Sequence, residues 1–177
     1  DAAGNKSSCS FNVIVQSGLT GTVTAATYSP NFNISCFGKS DGQATATPVN
    51  GCAPYKYEWN TVPVQLTPTA TGLSAGTYNV KITDVNGNTV SLTVNLVQPP
   101  ILIVNSGKNV TVYNGYPPQA CTTLEAKATG GVANYVYTWY DATGTAVGPI
   151  PTLNVCPTAY AQYTAKVSDA NGCTATD

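Results

Sequence analysis

The sequence predicts an all-β protein made of tandem immunoglobulin-like antiparallel β-sandwich modules in an elongated array. Three observations carry this: landmarks that recur at a spacing of one small domain, apolar and polar residues that alternate with period two, and Asx-Gly turns that close the alternating runs.

The repeat comes first. Asp1-Ala2-Ala3-Gly4, Asp84-Val85-Asn86-Gly87 and Asp169-Ala170-Asn171-Gly172 begin 83 and 85 residues apart. Cys36 and Cys121 are separated by 85 residues, as are Tyr78 and Tyr163, and Tyr55-Lys56-Tyr57-Glu58-Trp59 precedes Tyr135-Val136-Tyr137-Thr138-Trp139 by 80. A unit of this length holds one sandwich of about seven strands. Residues 1–18 then read as the terminal strand of a preceding module, 19–100 as one complete module, and 101–177 as a second that stops just after its turn and lacks its final strand. Gln98-Pro99-Pro100 separates the two, because proline has no N–H for a ladder and two in a row stiffen the connection.

Strands follow from the alternation. Tyr78, Val80 and Ile82 alternate with Asn79, Lys81 and Thr83, and Tyr163, Ala165 and Val167 with Thr164, Lys166 and Ser168, which turns one face inward and one outward. The Asp-x-Asn-Gly after the first run supplies the residues a tight hairpin needs, and Leu92, Val94 and Leu96 alternate with Ser91, Thr93 and Asn95 on the way back. At the other end of the chain Phe11, Val13 and Val15 share one face, so strand 9–15 is expected to pair with a partner outside the compact modules. That partner would be a neighbouring module or an identical subunit in a filament.

Composition narrows the function classes. Charged residues make up 8% of the 177 and hydrophobic residues 42%, with Thr, Ser, Asn and Gly filling the polar positions, a pattern of extracellular β proteins. The seven cations are all lysines scattered singly from Lys6 to Lys166, so no basic stripe exists to follow phosphates and nucleic acid is not expected as a partner. No apolar run approaches the roughly 18 residues of a membrane helix, so direct membrane insertion is not expected either. Six cysteines, Cys9, Cys36, Cys52, Cys121, Cys156 and Cys173, occur without a Cys-x-x-Cys pair and without any histidine, which favours disulfides in an oxidising compartment over zinc.

With no histidine and eight dispersed carboxylates, no catalytic constellation can be assembled and no enzyme is expected. Asp84 and Asn86, or Asp169 and Asn171, could offer oxygens to calcium, but an Asx-Gly hairpin requires the same residues, and the turn reading is preferred; Asp41 in Lys39-Ser40-Asp41-Gly42 is read likewise. No cofactor is therefore expected. Tyr55, Tyr57 and Trp59 fall on the inward face, whereas Tyr113, Tyr116, Tyr140 and Tyr160 are the more exposed candidates for stacking on surface polysaccharide, but they are scattered in sequence and no glycan site is assigned to them. Asn5-Lys6-Ser7, Asn33-Ile34-Ser35 and Asn109-Val110-Thr111 match the N-glycosylation acceptor pattern, a short match that is frequent by chance.

Taken together, Asn33-Ile34-Ser35-Cys36-Phe37-Gly38-Lys39-Ser40-Asp41-Gly42-Gln43-Ala44, Pro54-Tyr55-Lys56-Tyr57-Glu58-Trp59, Gly72-Leu73-Ser74-Ala75-Gly76-Thr77-Tyr78 and Asp84-Val85-Asn86-Gly87 resemble an SprB-type repeat. The second unit is similar to polycystic-kidney-disease-like or immunoglobulin-like modules and lacks the Gly-Leu-x-x-Gly-Thr-Tyr stretch. The resemblance implies a long surface protein of the Bacteroidetes, exported by the type IX system, attached at the outer membrane and serving gliding or attachment as an adhesive stalk. A carbohydrate-binding module of a secreted glycan-degrading protein is the alternative. The family commonly has Cys directly after the Asp-x-Asn-Gly turn, whereas this chain has Asn88 there and an additional Cys52. That departure suggests a Cys36–Cys52 bridge in the first module. In the second, Cys121 is expected to pair with Cys156, across neighbouring antiparallel strands, with Cys173 competing for Cys121.

Overall fold

A computed structural model describes residues 18–29, 31–113 and 120–177, and strand 9–15 lies outside the described residues. The described chain is all-β and antiparallel, with two hydrophobic cores. The first module contains β1 (Thr20–Ala25), β2 (Gly42–Val49), β3 (Lys56–Trp59), β4 (Thr69–Leu73), β5 (Gly76–Thr83) and β6 (Thr89–Leu96). One sheet has the order β1-β2-β4 and the facing sheet β3-β5-β6. Alternation decides the faces: Gly42, Ala44 and Ala46 of β2 are buried while Gln43, Thr45 and Thr47 are exposed. Trp59, Val80, Ile82, Leu96 and Ile34 meet between the sheets with at most 1% of their surface exposed. The Trp59 indole N–H, which would be costly to bury unpaired, donates to the Thr67 carbonyl at 2.9 Å.

The second module repeats the plan in more broken form. Its strands are β7 (Ile103–Asn105), β8 (Thr122–Glu125), β9 (Lys127–Thr129), β10 (Val136–Asp141), β11 (Ala146–Gly148), β12 (Thr152–Val155), β13 (Tyr163–Ser168) and β14 (Thr174–Thr176). The main sheet runs β11-β10-β13-β14, and the ladders β7-β9 and β12-β8 make up the other side. β8 and β9 are one strand interrupted at Ala126, whose N–H bonds to Pro151 O just as Ala46 N–H bonds to Pro68 O in the first module. The duplication holds at the core: Trp139 is 1% exposed and gives its indole N–H to Ile150 O at 3.1 Å. Trp139 stands opposite Ala165, as Trp59 stands opposite Val80.

Among the described residues the first module has six strands and the second eight, against about seven expected in each, because β2 of one corresponds to two pieces in the other and β11 is an added hairpin strand. The final strand expected to be missing is present as β14, which pairs through Thr174, Ala175 and Thr176 with Ser168, Val167 and Lys166. Three residues after the turn are enough to continue the ladder, and Asp177 extends it by exchanging backbone hydrogen bonds with Ala165.

Where the second module meets the linker, Gly130 has φ +76°, and a Cβ built there would lie 1.8 Å from Ile101 O. At Gly144 φ is +83° but nothing lies within 4 Å of such a Cβ. Gly144→Ala should therefore cost about 1 to 2 kcal/mol from backbone conformation alone. Gly130→Ala must also displace the linker, and its cost should be on the order of 3 kcal/mol. Chemical denaturation of the two variants checks this difference; equal losses would contradict the close approach.

Candidate functional site

The site is the junction between the modules, and it begins with a buried carboxylate. Asp169 is 6% exposed at the end of β13, before the turn into β14. Its Oδ1 accepts hydrogen bonds from the N–H groups of Asn171 and Cys173, both at 2.9 Å, and its Oδ2 accepts from Val132 N–H at 2.8 Å. Backbone bonds from Gly172 N–H to Asp169 O and from Ala170 N–H to Val132 O complete the rim. A short acidic side chain after a strand can gather successive amides in this way, and Asn and Gly supply the turn that aims them.

The rim faces a loop of the first module, residues 26–41, which is tied down on both sides of Cys36. Asn33 and Ile34 N–H groups bond to Val97 O, the Asn33 side chain donates to Ala26 O and accepts from Val97 N–H, and Ile34 is fully buried. Beyond Cys36, Asp41 accepts from the amide and hydroxyl of Ser35, and Gly38 N–H donates to the Gln98 side chain. The two surfaces are joined covalently by a disulfide between Cys36 and Cys173, with their Cα atoms 5.7 Å apart. Beside it the Asn171 side chain donates to Ser35 O at 2.8 Å, and Gly131 N–H donates to Pro100 O at 2.9 Å.

This pairing corrects the expected Cys36–Cys52 bridge. Loop 26–41 hangs from Val97, at the linker end of β6, whereas Cys52 donates its N–H to Asp84 at the turn end of β5. An eight-residue strand, about 25 Å of chain, separates those ends, far beyond the reach of one disulfide. The second bridge joins Cys121 to Cys156, next to the β12-β8 ladder, and Cys173 does not compete for Cys121 because it is committed across the junction.

Asp84 forms the corresponding rim of the first module. Its Oδ1 accepts from Asn86 and Asn88 N–H groups at 3.0 and 2.8 Å, and its Oδ2 accepts from Cys52 N–H at 3.2 Å and from the Asn88 side-chain amide at 3.0 Å. The carboxylate oxygens of Asp84 and Asp169 thus face N–H donors, which a calcium ion would have to displace before it could use the same lone pairs. Asn86 and Asn171 lie in the turns themselves, and the Asn171 side chain points its N–H, not an oxygen-only ligand set, at Ser35. Among the described residues, no group of three or more His, Cys, Asp or Glu side chains is placed to hold a metal ion.

Of the aromatic candidates, Tyr113 and Tyr160 are exposed, Tyr140 is half-buried in β10, and Tyr116 lies outside the described residues. Tyr55 and Tyr57 pack against the first core, and Tyr55 donates its hydroxyl to Asn50 O. Asn33 is 9% exposed and both ends of its amide are engaged, so it is a loop anchor and not an accessible glycosylation acceptor. Sequence reasoning named Ser35, Cys36, Asn171 and Cys173 for other roles and missed that they meet at one junction. The available signal was that Cys36 and Cys173 are the two cysteines standing at the repeat's own loop and turn positions.

The side-chain amide of Asn88 is the main influence holding the Asp84 carboxyl below its ordinary range; burial opposes it, and the amides of Asn88, Cys52 and Asn86 add to the lowering. A carboxyl with a depressed folded pKa contributes stability that is fully present above its unfolded value near 4 and is lost as pH falls through the folded value. The melting temperature of the chain should thus fall steeply below about pH 4, and Asp84→Asn should flatten that part of the profile. In excess EDTA at neutral pH the melting temperature should barely move, and a drop of about 10 °C would assign the Asp-Asn turns to calcium instead.

A family model described as "SprB repeat" matches residues 32–64, a segment that contains loop residues 32–41, β2 and β3. No curated protein matches the chain. Among solved structures the chain is similar to "Biofilm associated protein - BSP domain", at 15% identity and a TM-score of 0.25, covering 78% of this chain and 26% of that one. It is also similar to "Crystal structure of tetra-tandem repeat in extending region of large adhesion protein", at 16% identity and a TM-score of 0.23, covering 90% of this chain and 48% of that one. The chain therefore spans less than half the length of each of these two structures.

Proposed function

We propose that this chain is a non-enzymatic, load-bearing stalk segment of a large secreted surface adhesin, which holds an adhesive part away from the cell in attachment or gliding. The observation that carries this reading is the Cys36–Cys173 disulfide, which closes a covalent loop with a sequence separation of 137 around nearly all of both sandwiches. Tension applied to the two ends of the chain passes along β1 to Cys36, through the sulfurs to Cys173, and out along β14. The chain between those points is shielded from the load, whereas Leu19, β1 and Ile34, which belong to or pack against the first core, and β14 lie outside the loop. A spacer gains from this arrangement because the chain between the two cysteines, which makes up most of both sandwiches, cannot be extended while the bridge stands.

Other features support the same reading. The Pro99-Pro100 linker is short, and Pro99 is buried. The two disulfides belong to an oxidising compartment, which fits display at a cell surface after export. The match over residues 32–64 supports the SprB-like character on which the adhesin, gliding and outer-membrane parts of the proposal rest.

Stretching single molecules between handles at the two ends tests the load path. In the oxidised chain, extension should be limited to the segments outside the loop. Full reduction should release a further contour of roughly 450 to 490 Å, the extended length of the 137 positions between the cysteines. Release of that length without reductant would show that the bridge does not close the loop and would defeat the load path on which the stalk reading rests.

A further inference from the structure

An asparagine side chain is most open to attack by the following backbone nitrogen when that nitrogen belongs to glycine, which brings no side chain to shield it. The chain has four such pairs, Asn50-Gly51, Asn86-Gly87, Asn114-Gly115 and Asn171-Gly172, of which the third lies outside the described residues. Asn86 and Asn171 form a matched pair. Each donates its backbone N–H to the Oδ1 of the aspartate two residues before it, at 3.0 and 2.9 Å, and each is followed by a glycine whose N–H bonds to that aspartate's carbonyl, at 3.1 and 3.0 Å. Gly87 and Gly172 have φ of +85° and +80°, with nothing within 4 Å of a Cβ built on either. The two backbones are therefore equally disposed to react, and the side chains decide. The Asn171 amide donates to Ser35 O at 2.8 Å beside the Cys36–Cys173 bridge, and the residue is partly covered, whereas Asn86 is exposed with exposed residues on both sides of it. At Asn50-Gly51 the Tyr55 hydroxyl closes the turn on Asn50 O, and a Cβ on Gly51 would lie 2.8 Å from Leu19 Cδ1, so that turn is held shut.

We propose that Asn86 is a site of spontaneous deamidation, and that the junction clamp keeps the equivalent Asn171 from the same reaction. When the exposed turn opens locally, hydroxide removes the Gly87 amide proton and the nitrogen attacks Asn86 Cγ. The new C–N bond closes a succinimide as the Cγ–Nδ2 bond breaks, and ammonia leaves with a proton supplied by water, which restores the hydroxide. A second water opens the ring at either carbonyl and gives aspartate or isoaspartate. The product places another carboxylate beside Asp84, and isoaspartate also lengthens the main chain between positions 86 and 87, which pulls Gly87 N–H off Asp84 O. At position 171 the same change would set an anion against Ser35 O, where an N–H now donates, so the clamp that prevents the reaction would be undone by it. The bridge thus guards the chemical integrity of its own junction, and this holds whether or not the chain is a stalk.

Ageing the oxidised chain in warm, mildly alkaline buffer, followed by peptide mapping, tests this. Aspartate and isoaspartate should accumulate at position 86 at least about tenfold faster than at 171, where reaction must wait for the junction to open. In concentrated urea with the bridge reduced, the two sites should react within about threefold of each other, since neither turn is then held. A tenfold difference that persists there belongs to the local sequence and overturns the role of the clamp. In folded Cys36→Ser/Cys173→Ser the rate at 171 should rise toward that at 86; a 171 that stays protected, or equal rates at the two sites in the oxidised chain, would defeat the proposal. Should that variant not fold, the comparison of native and urea-unfolded chain decides. Gly87→Ala, which shields the nitrogen with a methyl group, should suppress the products at 86, and their undiminished formation would rule out the route through Gly87.

Discussion

The junction depends on the Asp169 carboxylate, because it fixes three separate pieces of backbone, at Val132, Asn171 and Cys173, into a single rim. Without those bonds the turn between β13 and β14 could place Cys173 anywhere within a few ångströms, and a disulfide tolerates little of that freedom. The close approach also limits its neighbours: a Cβ on Gly131 would lie 2.6 Å from Asp169 Oδ2, so the carboxylate reaches Val132 N–H only past a residue without a side chain. The opposing loop is fixed by the same kind of economy, one buried Asn33 amide joining Ala26 to Val97.

From this follows the relation between the two cores. Each sandwich buries its own Trp and its own set of small and branched side chains, so each has the means to fold by itself. The disulfide adds something the cores cannot supply. Burial resists unfolding in every direction alike, and the covalent loop adds a limit on extension between Cys36 and Cys173 under tension. A bridge closing a loop this long also removes much conformational freedom from the unfolded chain, so it stabilises the pair as well as joining it.

The fold class was legible because alternation with period two is a local property. Residues 78–83 and 91–96 display their faces in the sequence, and the structure places Val80, Ile82 and Leu96 in the core accordingly. The repeat was legible for the same reason, through the paired Trp59 and Trp139 and the two Asp-x-Asn-Gly turns. The site was not, because a disulfide between modules depends on which ends of two sandwiches meet. The expected Cys36–Cys52 bridge required the loop before Gln43 to lie at the turn end of its own module, beside Cys52. That loop lies at the linker end instead, since Asn33 and Ile34 bond to Val97, and only there does Cys36 face the next module's turn. The dual role of Asp84 and Asp169 was half visible: turn chemistry and calcium ligation call for the same residue types, and only the direction of the N–H groups separates them.

The central claim is that the bridge and its rim make the two modules one mechanical body. Backbone 15N relaxation on the oxidised chain measures this most directly, because it reports the rotational motion of each module separately. The account predicts that amides of the first and second modules fit one common diffusion tensor, and that Cys36→Ser/Cys173→Ser, with both cores still folded, separates them into two. Independent tumbling of the modules in the oxidised, unmodified chain would contradict it.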